Sequence, residues 1–292
     1  MTGVDVRALG NESERPAPIV IGRQNFVWGV RTYLMGVINA TPDSFSGDGL
    51  LDPASAADQA ERFVALGGEV LDIGAESTRP GYEGIDAEEE WRRLGPVLRA
   101  VRDRIDVPIF VDTSKAVVAA RAFETGADAL NDVHGLRGDA DLASVLERAG
   151  LPAVLMHNQR GRKRVGDPIS DVLVGLTESL RVAEAAGVRL ERIVLDPGFG
   201  FGWQPAENLE LLRRLVEVRA LGRPLLVGPS RKSTIGQVLD EADVGRRQWG
   251  TAATVALAVA GGADLVRVHD VGEMAQVVRV ADAVVRGWSP PD

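Results

Sequence analysis

Alternation constrains this chain most. Eight short apolar runs, each closed by polar residues, recur along it: YLMGVIN, EVLDIGAES, PIFVDTSK, ALNDVHG, AVLMHN, RIVLDPGFGF, PLLVGPSRKS and DLVRVHD. Such runs suit parallel strands covered on both faces. Amphipathic stretches lie between most of them, among them ASAADQAERFVALGG, EEEWRRLGPVLRAVRDR and PISDVLVGLTESLRVAEAAGV. Several end in Gly just before the next run, as a helix C-cap does. Eight strands alternating with helices in 292 residues imply an α/β fold, a (β/α)8 TIM barrel. A doubly wound open sheet is the alternative, and ALND carries the least strand signal. IVIGRQNFVWGVRTY reads as a short N-terminal hairpin. The expected organisation is a flexible tail over 1–18, the barrel over 19–288 with no linker splitting it, and a C-terminal tail over 289–292.

Charge and cysteine content narrow the function. With 42 acidic against 33 basic residues, the formal net charge is −9. A nucleic acid or an anionic membrane calls for a basic face, so neither is an expected partner. An anionic small molecule needs only a few local cations. There is no cysteine, hence no disulfide framework and no thiol chemistry. The first 18 residues lack the apolar segment of a signal peptide, and no apolar run is long enough to cross a bilayer. A soluble, cytoplasmic protein is expected.

In a barrel, the loops after the strands build the site. Asn39, Glu76, Asp112, Asn131, His157, Asp196, Lys232, Arg267 and His269 all fall at or just beyond run ends. A lone Asp in such a place is more often a helix cap, but a set spread around the whole mouth is harder to read so. Arg267 and His269 alternate with Val266 and Val268 and therefore share a face. If the valines face the helices, the Arg and His face the mouth, where they suit a phosphate or carboxylate. Asp270 reads as a helix cap. In GPSRKSTIG, Ser233 could cap the next helix, Lys232 could reach the mouth, and Arg231 reads as solvated or salt-bridged. In LDPGFGFG, Asp196 could accept two parallel N–H donors and Phe201 could wall an aromatic ring. Together these describe a pocket for a flat, nitrogen-rich heterocycle carrying an anionic group. With only three His and no zinc-type spacing, zinc is not expected. Mg²⁺ is, with Asn39 as one oxygen ligand. His134 and His157 read as structural.

The ordered set MGVINATPDSFSGDG, DIGAESTRPG, VDTSKA, ALNDV, LDPGFGFG, GPSRKSTIG and RVHDV resembles the dihydropteroate synthase family over about residues 25–287. The resemblance implies a (β/α)8 barrel, a homodimer, and condensation of 7,8-dihydropterin-6-ylmethyl diphosphate with 4-aminobenzoate to give 7,8-dihydropteroate and diphosphate. Sulfonamides, as mimics of 4-aminobenzoate, would compete. It further implies that Asn39 helps hold Mg²⁺ on the diphosphate and that Arg267 and His269 bind the diphosphate. Asp112, Asn131, Asp196 and Lys232 would line the pterin pocket, with Thr78 touching the same substrate. Ser233 would sit near the 4-aminobenzoate carboxylate, with Phe201 and Phe45 walling that ring. Asp43 and Asp48 in the first loop, and Arg79 and Pro80 in the second, would act when the loops close, with Gly47 and Gly49 as hinges. An SN1-like path would follow, the loop carboxylates stabilising a transient methylene cation.

Three departures from the common pattern stand out. The first loop reads SFSGDG rather than SFSDGG, which leaves Asp43 and Asp48 as alternative partners of the cation. Ala40 replaces a common Val. Trp203 stands where Lys is frequent, and is expected near the rim. Two other functions fit parts of the pattern. A methyltetrahydrofolate:corrinoid methyltransferase would share the pterin contacts but has little need of SRKS or RVH. A non-catalytic pterin-binding paralogue would not need STRPG, SRKS and RVH together.

Overall fold

The computed structural model describes residues 15–41, 52–77 and 84–289. Each of the eight apolar runs forms a strand: β3 (Tyr33–Asn39), β4 (Val70–Gly74), β5 (Ile109–Asp112), β6 (Ala129–Asp132), β7 (Ala153–Met156), β8 (Ile193–Asp196), β9 (Leu226–Val227) and β10 (Leu265–Val268). They pair in parallel in the order β8-β7-β6-β5-β4-β3-β10-β9. A parallel bridge between Leu195 and Leu225 joins the two ends, so the sheet curls into a barrel. Even ALND pairs on both sides, with Leu130 opposite both Val111 and Ala153.

Helices cross between the strands: α1 (Pro53–Ala65), α2 (Ala87–Arg102), α3 (Ala116–Thr125), α4 (Leu142–Ala149), α5 (Pro168–Ala185), α6 (Pro205–Arg213), α7 (Ser233–Leu239), α8 (Gln248–Ala260) and α9 (Val271–Arg286). Their starts are written locally. Asp52, Asp86 and Asp167 each accept backbone N–H bonds from the first turn of α1, α2 and α5, and Pro53 and Pro168 open two of these helices. Gly126 and Gly150 end α3 and α4 in the left-handed conformation.

Alternation along each strand sorts side chains into two cores. Outward residues such as Ile38, Leu71, Val111, Leu130, Leu155, Leu195, Val266 and Val268 pack beneath the helices. Inward residues Met35, Val70, Phe110, Ala129, Val154, Val194, Leu226 and Leu265 fill the barrel. Fully burying a side chain such as Phe110 contributes about 1.5–3 kcal/mol.

The expected hairpin forms from β1 (Ile19–Ile21) and β2 (Gln24–Phe26), an antiparallel pair. It does more than precede the barrel. Ile19, Ile21, Phe26 and Trp28 join the interior core and plug its floor. Phe26 lies 5.5 Å from Trp28 and 4.6 Å from Tyr33, centroid to centroid. With the floor closed by aromatics, the polar groups of the interior collect at the strand C-terminal ends.

Candidate active site

Four strands deliver one buried polar network to that mouth. Asp72 is an inward residue of β4 and is fully buried. Asp112 ends β5 and sits in register with Asn131 on β6. Arg267 comes from β10, on the other side of β3, and reaches both acids. Its Nε donates to Asp72 Oδ2 at 2.5 Å and its Nη2 to Asp112 Oδ2 at 2.9 Å. Asn131 Nδ2 donates to the same Asp72 oxygen at 3.1 Å. Burial works against the Arg267 charge, but the two carboxylates outweigh it and hold its pKa above the ordinary value. Burial, then the neighbouring Asp72 charge, push the Asp112 carboxyl well up, against the pull of Arg267.

A second group faces this one from β8 and the loop after β9. Asp196 ends β8, and its Oδ1 accepts from Gly198 N at 2.7 Å. Gly198 is required there. Its φ is +75°, and a Cβ would lie 1.8 Å from the His157 carbonyl oxygen. Burial raises the Asp196 pKa, while that hydrogen bond, Lys232 and Arg267 lower it. Lys232 is held below its ordinary value by burial and by Arg267, partly offset by Asp196. Its Nζ sits 4.1 Å from the centre of the Phe201 ring. His269, just past β10, is oriented by Ser230, whose Oγ lies 3.0 Å from Nδ1 and accepts from the His269 backbone N–H at 3.2 Å.

The mouth therefore presents fixed carboxylates suited to N–H donors, an aromatic wall, and cations. Among the described residues no three His, Cys, Asp or Glu side chains gather as a metal cage. A cation here would draw most of its ligands from substrate oxygens and water, which is how Mg²⁺ binds. Asn39, half-buried at the end of β3, fits as one amide-oxygen ligand.

Sequence and structure comparisons point the same way. Residues 35–269 match the family described as pterin binding enzyme. The chain is 44% identical over 278 residues to the dihydropteroate synthase of Synechocystis sp., covering 93% of this chain and 96% of that protein. A Clostridium difficile dihydropteroate synthase solved with pteroic acid superposes with a TM-score of 0.84 at 44% identity, covering 89% of this chain and 99% of the other. The Xanthomonas albilineans enzyme solved with 4-aminobenzoic acid gives a TM-score of 0.86 at 36% identity, covering 92% and 98%. The chain belongs to the pterin-binding enzyme family. It is an enzyme of that family, a transferase of the dihydropteroate synthase type.

Within this pterin-binding fold, the structure brings together Asp112, Asn131, Asp196, Phe201, Lys232, Arg267 and His269, with Asn39 at a neighbouring strand end. Asp43, Phe45, Gly47, Asp48, Gly49, Thr78, Arg79 and Pro80 lie outside the described residues. Some expectations change. Ser233 is the first residue of α7 rather than its cap, because Lys232 occupies the cap position. Asp270 occupies the N-cap position of α9, as expected, but its side chain makes no cap bond there; its carboxylate instead takes the Arg231 guanidinium, at 2.5 and 3.1 Å. Arg231 is thus salt-bridged, as expected. Trp203 is buried rather than at the rim, with its indole 5.7 Å from the His157 ring. His157 is structural: it is fully buried, and burial lowers its pKa to about 4. Glu76 pairs with Lys115 at 2.6 Å and accepts from Ile85 N at 2.9 Å, which ties the strand end to the start of α2.

Asp72, Ser230, Lys115 and Arg160 were not singled out from the sequence. Asp72 had a signal, since it interrupts the apolar run VLDIG at an inward position. Ser230 had only its neighbourhood. A separate cleft of ≈1060 Å³ opens where α9 packs beside the start of β3, away from this mouth. Four of its lining charges pair with one another, Arg31 with Glu69 and Arg286 with Asp282.

Proposed function

We propose that this enzyme makes 7,8-dihydropteroate in folate biosynthesis, joining 7,8-dihydropterin-6-ylmethyl diphosphate to 4-aminobenzoate with release of diphosphate. The observation that carries this reading is that Asp112 and Asp196 each end a barrel strand at the mouth, within electrostatic reach of the same two cations, Arg267 and Lys232, with Arg267 bonded to Asp112. Carboxylates recessed beside cations accept the ring N–H donors of a pterin, and the cations offset the charge of its diphosphate. Relatives solved with pteroic acid and with 4-aminobenzoic acid support the same pair of substrates.

The bond between the methylene carbon and the diphosphate oxygen breaks with its electron pair leaving on diphosphate. Arg267 and His269 offset that charge, and the resulting methylene cation is delocalised into the pterin. The aromatic amine nitrogen then adds to the carbon and loses a proton to solvent. Asp112 and Asn131 hold the pterin edge, Asp196 the opposite side, and Phe201 walls the amine. Mg²⁺, held partly by Asn39, would supply further neutralisation of the diphosphate. The reading includes a homodimer in the cytoplasm. Exposed apolar residues support the dimer: Trp249 is 82% and Leu257 58% exposed on α8, beside Val238 and Leu239 at the end of α7. Among the described residues, no helix is long and apolar enough to cross a membrane.

The test is diphosphate release from purified protein with both substrates and Mg²⁺, with the product identified by mass spectrometry. Release that needs 4-aminobenzoate and Mg²⁺ and yields dihydropteroate is expected. Folded protein that binds the pterin but makes no product would sink the reading. Asp196→Ala should abolish pterin binding by calorimetry, and unchanged affinity would remove Asp196 from the pocket.

A further inference from the structure

The turn that follows Asp112 holds a cation that the mechanism above does not use. Lys115 occupies the cap position before α3, where Ser, Thr, Asp or Asn is favoured, yet its side chain makes no cap bond. Asp139 serves that helix start instead, accepting from Ala116 N at 2.8 Å. The Lys115 side chain reaches the end of β4 and the start of α2. Its Nζ lies 2.6 Å from Glu76 Oε2 and 2.6 Å from Glu90 Oε2. Glu90, in the first turn of α2, is fully buried. Glu76 follows β4, and its other oxygen accepts from Ile85 N at 2.9 Å. Burial works against the Lys115 charge, but the two carboxylates outweigh it and hold its pKa above the ordinary value.

The turn is thereby braced from both neighbouring strands. On the β6 side, Thr113 N donates to the Asn131 carbonyl at 3.2 Å, and Ser114 Oγ donates to Asp132 Oδ1 at 2.5 Å. On the β4 side, the brace is the Lys115 ammonium. Lys115 N also donates to Thr113 Oγ1 at 3.2 Å, which ties its backbone to the residue next to Asp112. Arg267 holds one Asp112 oxygen at 2.9 Å, but not the backbone from which that side chain hangs. A carboxylate that meets ring N–H donors needs that backbone fixed, since a misplacement of about 1 Å can cost on the order of 10²-fold. A buried ion pair adds little stability over apolar residues of the same volume, which favours a geometric role for this one.

We propose that Lys115 is a positioning residue: by clamping Glu76 and Glu90 it fixes the turn after β5, and so the place of Asp112 against the pterin edge. This rests on the synthase reading above. The test measures affinity for 7,8-dihydropterin-6-ylmethyl diphosphate by calorimetry, beside thermal melts. It compares the unaltered protein with Lys115→Met, with the double variant Lys115→Met and Glu90→Gln, and with Lys115→Arg. Lys115→Met should lower the melting temperature and weaken pterin affinity roughly tenfold. Adding Glu90→Gln removes the buried carboxylate left without its cation, so it should restore much of the melting temperature but not the affinity. Lys115→Arg, whose guanidinium can meet two carboxylates, should recover part of the affinity. Should Lys115→Met fail to fold, the double variant and Lys115→Arg carry the comparison. Affinity that returns together with the melting temperature in the double variant, or unchanged affinity in Lys115→Met, would overturn the proposal. Failure of the folded, unaltered protein to form dihydropteroate would instead overturn the synthase reading itself, and the role of Lys115 with it.

Discussion

Arg267 Nε meets Asp72 Oδ2 at 2.5 Å, although the two residues are 195 positions apart in the chain. The acid is fully buried and the guanidinium mostly so. Removing Arg267 leaves the buried Asp72 without a cationic partner, and removing Asp72 leaves Arg267 with Asp112 alone. Asp72→Ala should destabilise the fold by about 3–5 kcal/mol, whereas Asp72→Asn, which keeps an acceptor for Arg267, should lose less. Urea melts of the two variants check this, and equal, small losses would show the network to be dispensable.

Arg267→Ala should act on catalysis as well. It removes the donor that orients Asp112 and the cation that the proposed mechanism sets beside the diphosphate. Turnover should fall by roughly 10²-fold or more. Near-normal turnover in a steady-state assay would remove Arg267 from the mechanism.

Acid sensitivity should follow the raised carboxyls. Burial raises Asp196 to about 6 and Asp112 to about 7. Each accepts N–H donors more strongly when ionised, so on the proposed reading protonation weakens pterin binding. The pH profile of kcat/KM, which reports the free enzyme, should lose activity as pH falls through that range rather than near pH 4. A flat profile down to pH 5 would contradict this.

His157 should make stability depend on pH by a separate route. Its pKa is lowered to about 4 in the fold, from an ordinary 6.5. Between those values the unfolded chain binds more protons, so stability rises with pH. The contribution is fully present above about pH 6.5 and is lost as pH falls towards 4, amounting to about 3 kcal/mol at most. Thermal melts of the unaltered protein and His157→Gln across this range should converge at low pH, and parallel curves would refute the assignment.

The apolar face of α8 offers a test of assembly. Trp249→Glu places a charge where an isologous contact would bury the indole. Sedimentation should show a dimer for the unaltered protein and a monomer for the variant. A monomer in both would end the dimer reading.

The eight strands were legible because a strand covered on both faces has to be apolar along its length. Even ALND obeyed this despite its shortness. Asp52, Asp86 and Asp167 fix helix starts by capping, a bond that spans only a few residues. The same local logic gave Asp270 its cap position but not its bond, and it missed the cap of α7 by one residue at Ser233. A distant Arg231 drew the Asp270 carboxylate away from α9, and a shift of one residue made Lys232 the cap of α7. Trp203 failed for another reason: a large apolar ring will bury itself wherever a partner such as His157 offers a surface, and sequence does not say where that surface lies.

The chain by itself determined the order of strands and helices, their polar ends, and a motif set that resembles one family. These depend on neighbours within a few residues, through period, capping and composition. Only the closed barrel decided that Asp72 joins Asp112 on one guanidinium, that Ser230 aims His269, and that Lys115 ties the turn after β5 to Glu76. Those contacts bridge strands and loops far apart in sequence. They exist because closing the sheet brings the strand ends into one ring, where buried charges stay only if they find one another.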